Sequence, residues 1–257
     1  MTSRYVDVPV GGATRRVLVV DPPGRPSGIV VCLHGSRSDP AGQVRLSGMD
    51  RLAEVGRAVV AFPQGSVPLG RGWGWDPDVD LPFLSALVDR LREEHPMAGR
   101  ACVAGMSGGA RMASRLAGAR SDEIGTLGAV AGLRRPDRAP GRAVAVIAFH
   151  GTADRVNPYG GGGRDEWRES VPDAARAWAI ANGISTSARE SAVGRSLSST
   201  AYGGDGGPGE VVLWTVRGGG HTWPGSRMGL IARLVLGATT REIDATAEVW
   251  RFHERHA

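Results

Sequence analysis

Cysteine is scarce: the 257 residues contain two, Cys32 and Cys102, each inside an apolar run. That placement reads as two buried thiols rather than a disulfide or a metal pair, and it suits a reducing compartment. Long hydrophobic runs are also missing. No stretch of about 18 apolar residues occurs, so no membrane-spanning helix is expected. The opening MTSRYVDVPVGG has no basic start followed by an apolar stretch, so no secretory signal is read there and a cytoplasmic location is expected. Aromatics make up only 5% of the chain, and none are interleaved with a basic arm. The net charge of +5 rests on scattered arginines, which argues against nucleic acid as a partner. Repeats, linkers and a second-domain boundary are absent, so one domain over 1–257 is expected. Apolar residues at 41% suffice for a sizeable core.

What the chain does have is alternation. The runs 27–35 (SGIVVCLHG), 57–65, 100–109, 124–133, 142–151 and 209–220 are near-continuously apolar, as buried parallel strands should be. Ahead of them, RYVDVPVGGATRRVLVVD alternates around Gly11 and Gly12, which predicts an antiparallel hairpin at a sheet edge. Helical periodicity falls between the runs. Over 80–95, Leu81, Leu84, Leu87, Val88 and Leu91 share a face, with Asp80 as the expected N-cap and Pro82 in the first turn. Segments 171–183 and 240–256 are amphipathic as well. This pattern predicts a doubly wound, mostly parallel α/β sheet. The Gly- and Ser-rich stretches 155–170 and 185–209 read as loops.

The chemistry centres on GMSGG, where Gly105, Ser107 and Gly109 make G-x-S-x-G. With 39 glycines in the chain the pattern alone is weak, but its setting is informative. It follows the apolar ACVA and opens a segment with Ala110, Ala113, Leu116 and Ala117 on one helical face. That is the strand–turn–helix context of a nucleophile elbow. A serine nucleophile needs a base. Of six histidines, His221 in GGGHTWPG directly follows the last strand, where a loop can return to the C-terminal edge of the sheet. His95 reads as a helix C-cap, His253 and His256 are expected in solvent, His34 reads as loop-shaping, and His150 as support for the following loop. Asp154, just after a strand in FHGTADRV, is the expected carboxylate, with Asp205 and Asp173 as rivals. The order Ser, Asp, His fits the fold. The oxyanion hole is expected from the amides of Gly108 and Ser36, with Gly35 allowing the latter's orientation. No metal-ligand spacing occurs, and no cofactor is expected.

These residues resemble α/β-hydrolases of the polyhydroxybutyrate depolymerase and feruloyl esterase type. The matching pieces are LHG (33–35), FPQG (62–65), WGWDPDVDLPFLSALVDRL (73–91), GMSGGARMA (105–113), GAVAGL (128–133), FHGTADRVNPY (149–159), VPDAARAWAIANG (171–183) and GGGHTWPG (218–225), in the family's order. The resemblance implies a serine esterase with triad Ser107, Asp154 and His221, and it puts Trp75 and Trp223 near the cleft. Secreted members carry a signal peptide, often disulfides, and sometimes a polymer-binding module. Their absence from this sequence directs the expectation to a small soluble ester of aromatic acyl, acetyl or hydroxyalkanoate type. Only RRPDRAP separates the fourth and fifth parallel runs, too short for a lid domain. An open cleft is therefore expected, walled by tryptophans 73, 75 and 223 and by the 155–170 loop. Two alternatives stand beside ester hydrolysis: an acyltransferase, thioesterase or cyclase using the same triad, and a non-catalytic binding protein on this scaffold.

Overall fold

The computed structural model describes residues 2–162, 167–227 and 234–257. In chain order the strands are β1 (Thr2–Val10), β2 (Ala13–Asp21), β3 (Gly28–Leu33), β4 (Ala58–Phe62), β5 (Val67–Leu69), β6 (Gly72–Gly74), β7 (Ala101–Met106), β8 (Ile124–Val130), β9 (Ala145–Gly151), β10 (Arg189–Val193), β11 (Leu197–Tyr202) and β12 (Val211–Val216). The helices used below are α1 (Pro40–Ser47), α2 (Arg51–Glu54), α3 (Pro77–Glu94), α4 (Gly108–Ala119), α5 (Val171–Ala181) and α6 (Ala245–His256).

Ten strands form one sheet in the order β1-β2-β4-β3-β7-β8-β9-β12-β11-β10, and β5 pairs with β6 apart from it. From β4 to β12 the neighbours are all parallel. These are the near-continuous apolar runs, because both of their faces are covered. In β3, Ile29, Val31 and Leu33 enter one core layer, while Val30 and Cys32 enter the other. The first layer packs beneath α3, α4 and α5, through Leu84, Leu87, Ala113, Leu116 and Trp178. The second packs beneath α2 and α6, through Leu52, Val249 and Phe252. Cys32 and Cys102 lie buried there as free thiols. Burial pushes the Cys32 thiol up to about 12, which keeps it protonated and unreactive.

The first hairpin lies at one sheet edge, β1 on β2, with β2 antiparallel to β4. The other edge differs from the expectation of a loop over 185–209: β10 and β11 form an antiparallel hairpin that extends the sheet past β12. Every residue of β10 is exposed. A strand open to water on both faces needs no apolar residues, so its sequence carries no hydrophobic pattern.

The start of α3 also needs correction. Its N-cap is Asp76, whose side chain accepts from the Asp78 amide, with Pro77 in the first turn; Pro82 is inside the helix. Asp80 is instead buried. It accepts from Arg15 Nη1 at 2.7 Å, Ser66 Oγ at 2.9 Å and the Asp76 amide at 2.8 Å. It thereby ties β2 and the β4–β5 loop to the head of α3. On α6, His253 is 1% exposed rather than solvated, with Nδ1 3.0 Å from Thr126 Oγ1. The His256 ring is also covered, its Nε2 3.2 Å from Glu210 Oε2. Both turn inward because α6 packs against β8 and β9. Among the described residues no helix is long and apolar enough to cross a membrane.

Candidate active site

The segments singled out in the sequence leave the C-terminal ends of the parallel strands, where ligands bind in open α/β sheets. The strand order explains which of them meet. β3 and β7 are neighbours, so the Gly35–Ser36 loop lies beside Ser107; β9 and β12 are neighbours, so the Asp154 loop lies beside the His221 loop.

Ser107 joins β7 to α4 at φ 55°, ψ −118°, a backbone conformation rarely open to a side-chain-bearing residue. Such strain costs of order 1–3 kcal/mol and persists only where surrounding structure enforces it. Here the Ser107 amide donates to the Val130 carbonyl at 2.9 Å, and its own carbonyl accepts from Arg111 at 3.0 Å. The flanking glycines make the turn possible by close approach. A Cβ on Gly105 would lie 2.6 Å from the Gly109 carbonyl carbon, and one on Gly109 would overlap the carbonyl oxygens of Leu33 and His34. Gly35 lies against Ser107, its Cβ direction 3.6 Å from Ser107 Cβ.

Asp154 and His221 meet directly. His221 Nδ1 is 2.8 Å from Asp154 Oδ2, and since a carboxylate only accepts, the imidazole proton sits on Nδ1. The other oxygen, Oδ1, accepts from the amides of Val156 and Asn157, each at 2.8 Å. His150 Nε2 donates to the Asn157 carbonyl at 2.8 Å and lies 3.3 Å from Asp154 Oδ2. Burial alone pushes the Asp154 carboxyl up, but the bonds from His150, His221 and the Asn157 amide outweigh it and hold the group well below the usual carboxylate range. The two loops are laced together by Ala153 N–H to Gly219 O at 2.9 Å and Gly218 N–H to Thr152 Oγ1 at 2.9 Å. The rivals lie elsewhere: the Asp205 side chain is 86% exposed beside Arg255, and Asp173 accepts from Ser170 at the start of α5.

Ser36 and Gly108 are adjacent, with a Cβ on Gly108 falling 3.3 Å from the Ser36 nitrogen. Neither amide has an acceptor among the described residues. The Ser36 loop is held by His34, whose Nε2 accepts from the Gly65 amide at 3.0 Å while Nδ1 donates to the Gly35 carbonyl at 2.8 Å. Burial lowers the His34 pKa against the pull of that carbonyl, which favours the neutral ring this pairing needs. Trp75 donates to the His34 carbonyl at 2.8 Å and packs on its ring at 4.7 Å between centroids.

A cleft of about 270 Å³ opens over Ser36 and Gly108. Trp75 lines it; Trp73 does not, its backbone pairing instead with Arg37 and Ser38. The expectation for Trp223 is overturned. Its side chain is 1% exposed, donates to Thr246 Oγ1 at 3.1 Å and packs in the layer under α6. Proximity to His221 in sequence did not carry it to the cleft, because the chain turns inward between the two residues. Residues 163–166 of the expected loop wall lie outside the described residues; Trp167 is buried beneath the Arg134 guanidinium. Between β8 and β9, residues 131–144 form neither helix nor strand, and Arg134, Arg135 and Asp137 from this segment line the cleft with Arg111 and Arg115 of α4. The sequence reading missed these arginines. The available signal was the i, i+4 spacing of Arg111 and Arg115 directly after Ser107.

No protein-family profile matches the chain. A curated relative, "Putative esterase NocK" of Nocardia uniformis subsp. tsuyamanensis, is 29% identical over 284 residues, spanning 94% of this chain and 80% of that protein. Among solved structures, an acetyl xylan esterase from Aspergillus awamori aligns with a TM-score of 0.66 at 17% identity, covering 86% of this chain and 94% of that one. With the sheet order above, this establishes an α/β-hydrolase fold.

Proposed function

We propose that the chain, acting as one unit, is a serine carboxylic ester hydrolase with Ser107 as nucleophile, His221 as general base and Asp154 as its orienting carboxylate. The observation that carries the reading is the 2.8 Å Asp154–His221 bond, made between loops that follow β9 and β12 at the same edge of the sheet where β7 ends in a serine held at φ 55°. A structural turn has no need of a strained serine, nor does a core need an ionised aspartate fixing one imidazole tautomer. Similarity to a relative named as an esterase, and to an acetyl xylan esterase in fold, supports the same chemistry.

In this mechanism Ser107 Oγ attacks the ester carbonyl as its proton passes to His221 Nε2. Asp154 holds the resulting imidazolium, and the amides of Ser36 and Gly108 receive the oxyanion. Collapse expels the alcohol, which takes the proton from His221. Water, deprotonated by the same imidazole, then cleaves the acyl-enzyme and frees Ser107. The substrate is a small ester of aromatic acyl, acetyl or hydroxyalkanoate type, as in the polyhydroxybutyrate depolymerase and feruloyl esterase group. The cleft of about 270 Å³ beside Trp75 suits a molecule of that size. A panel of acetyl, hydroxybutyryl and aryl-acyl esters tests the reading. Wild-type protein hydrolyses at least one class and Ser107→Ala none; equal turnover by both would overturn it.

A further inference from the structure

Ser107 and Asp154 follow β7 and β9, which are not neighbours; β8 lies between them. Their spacing is therefore set by what ties both loops to the end of β8. On the nucleophile side, the Val130 carbonyl accepts from the Ser107 amide at 2.9 Å, and a Cβ on Gly132 would fall 2.4 Å from the Ser107 carbonyl oxygen. Between these two contacts stands Ala131, buried and at φ 50°. A residue with a side chain keeps such a backbone only where its surroundings enforce it. Both of its backbone polar groups are held from the Asp154 side. Its amide donates to the Phe149 carbonyl of β9 at 2.8 Å, and its carbonyl accepts from Asn157 Nδ2 at 2.7 Å.

Asn157 is itself buried and uses three groups at once. Its side chain holds Ala131, its amide donates to Asp154 Oδ1 at 2.8 Å, and its carbonyl accepts from His150 Nε2 at 2.8 Å. His150 comes from β9 and is buried as well, so the far end of this chain of bonds is anchored in the sheet. Burying an asparagine costs desolvation that a loop fastened by apolar side chains would avoid. A fully bonded polar network repays that cost by fixing one arrangement. Here the arrangement it fixes is the Asp154 loop against the back of the nucleophile turn.

Building on the esterase reading, we infer that Asn157 is a positioning residue for the triad: it sets Asp154, and through it His221, in register with Ser107, while His150 holds Asn157 in place. Asn157 touches no reacting atom and acts only through Asp154. A misplacement of about 1 Å among reacting groups can cost about 10²-fold in rate, so losing the Ala131 tether is felt in kcat.

A double-mutant cycle on the full chain tests this, with the best ester of the acetyl, hydroxybutyryl and aryl-acyl panel as substrate. Urea unfolding runs beside it so that rates refer to folded protein. Asn157→Ala keeps the backbone bonds to Asp154 and His150 and removes only the Ala131 tether. It lowers kcat about 10- to 100-fold and leaves KM within about twofold. In an Asp154→Asn background, where the imidazole already has the wrong tautomer, the same change lowers kcat by less than about threefold. A second pair of variants reads the other end of the network. His150→Gln offers an N–H near the Nε2 position and keeps most of kcat, whereas His150→Leu loses about as much as Asn157→Ala. If Asn157→Ala is fully active, or costs as much in the Asp154→Asn background as in wild type, while turnover still requires Ser107, the inference is overturned and the esterase reading stands. If Asn157→Ala does not fold, the His150 pair decides: Gln as impaired as Leu, or Leu as active as wild type, overturns it. If no ester is hydrolysed in a Ser107-dependent way, both readings fall.

Discussion

Replacing Asp154 by asparagine changes one atom's chemistry and reverses the imidazole. In the native site Oδ1 receives two fixed backbone donors, the amides of Val156 and Asn157 at 2.8 Å, while Oδ2 receives His221 Nδ1–H at 2.8 Å. An asparagine offers one acceptor and one donor. Turning its NH2 toward the backbone would leave two buried amides facing a donor, at about 1–3 kcal/mol each. Turning its oxygen there leaves the NH2 opposite His221, which needs only a shift of the imidazole proton from Nδ1 to Nε2. The second arrangement wins by several kcal/mol. It also removes the lone pair at Nε2 that must accept the Ser107 proton. A wrong tautomer of this kind lowers kcat about 10⁴-fold, or about 5 kcal/mol of barrier. The assay is steady-state hydrolysis of an aryl ester, with urea unfolding run in parallel, because the Oδ1 bonds survive and the fold should too. Activity within tenfold of wild type, or a larger loss from Asp205→Asn, would refute the reasoning.

Three further outcomes follow from the packing. His253, held down to about 4 first by burial and then by the neighbouring charges of His256 and Arg100, titrates below its unfolded value of 6.5. The unfolded chain therefore takes up the proton first, so stability is whole above about pH 6.5 and falls by about 3 kcal/mol toward pH 4; His253→Gln should flatten the change in urea midpoint between pH 7 and pH 5, and an unchanged slope would disprove this source. Trp223→Ala should cost about 3–5 kcal/mol of stability as a core truncation, with kcat/KM for acetate and bulky aromatic esters falling in equal proportion; a selective loss on bulky esters would return Trp223 to the cleft. Gly109→Ala should abolish activity and lower the melting temperature, because the new methyl meets the carbonyls of Leu33 and His34; a fully active, equally stable variant would mean the elbow tolerates what its geometry forbids.

What the sequence made legible follows from where water is excluded. Strands buried on both faces must be apolar throughout, so β3, β4, β7, β8, β9 and β12 stood out without any structure. The ends of those strands then located Ser107, Asp154 and His221. The β10–β11 hairpin was hidden because an exposed edge obeys no such rule. Asp80 was read as a cap from its position before apolar periodicity, yet it is buried because Arg15 and Ser66, distant in sequence, satisfy it. His253 and Trp223 were misplaced for a related reason: which face of α6 or of the His221 loop turns inward depends on β8 and β9, not on neighbours along the chain. The arginines that line the cleft escaped notice because they come from two segments, α4 and 131–144, that only the fold brings together.

The central claim, that Ser107 is the nucleophile, is tested most directly by reacting the protein with a fluorophosphonate and mapping the adduct by mass spectrometry. The account predicts a stoichiometric label on the peptide holding Ser107, absent in Ser107→Ala and formed far more slowly in His221→Gln. Protein that hydrolyses esters yet carries the label on another serine, or carries none, would contradict it.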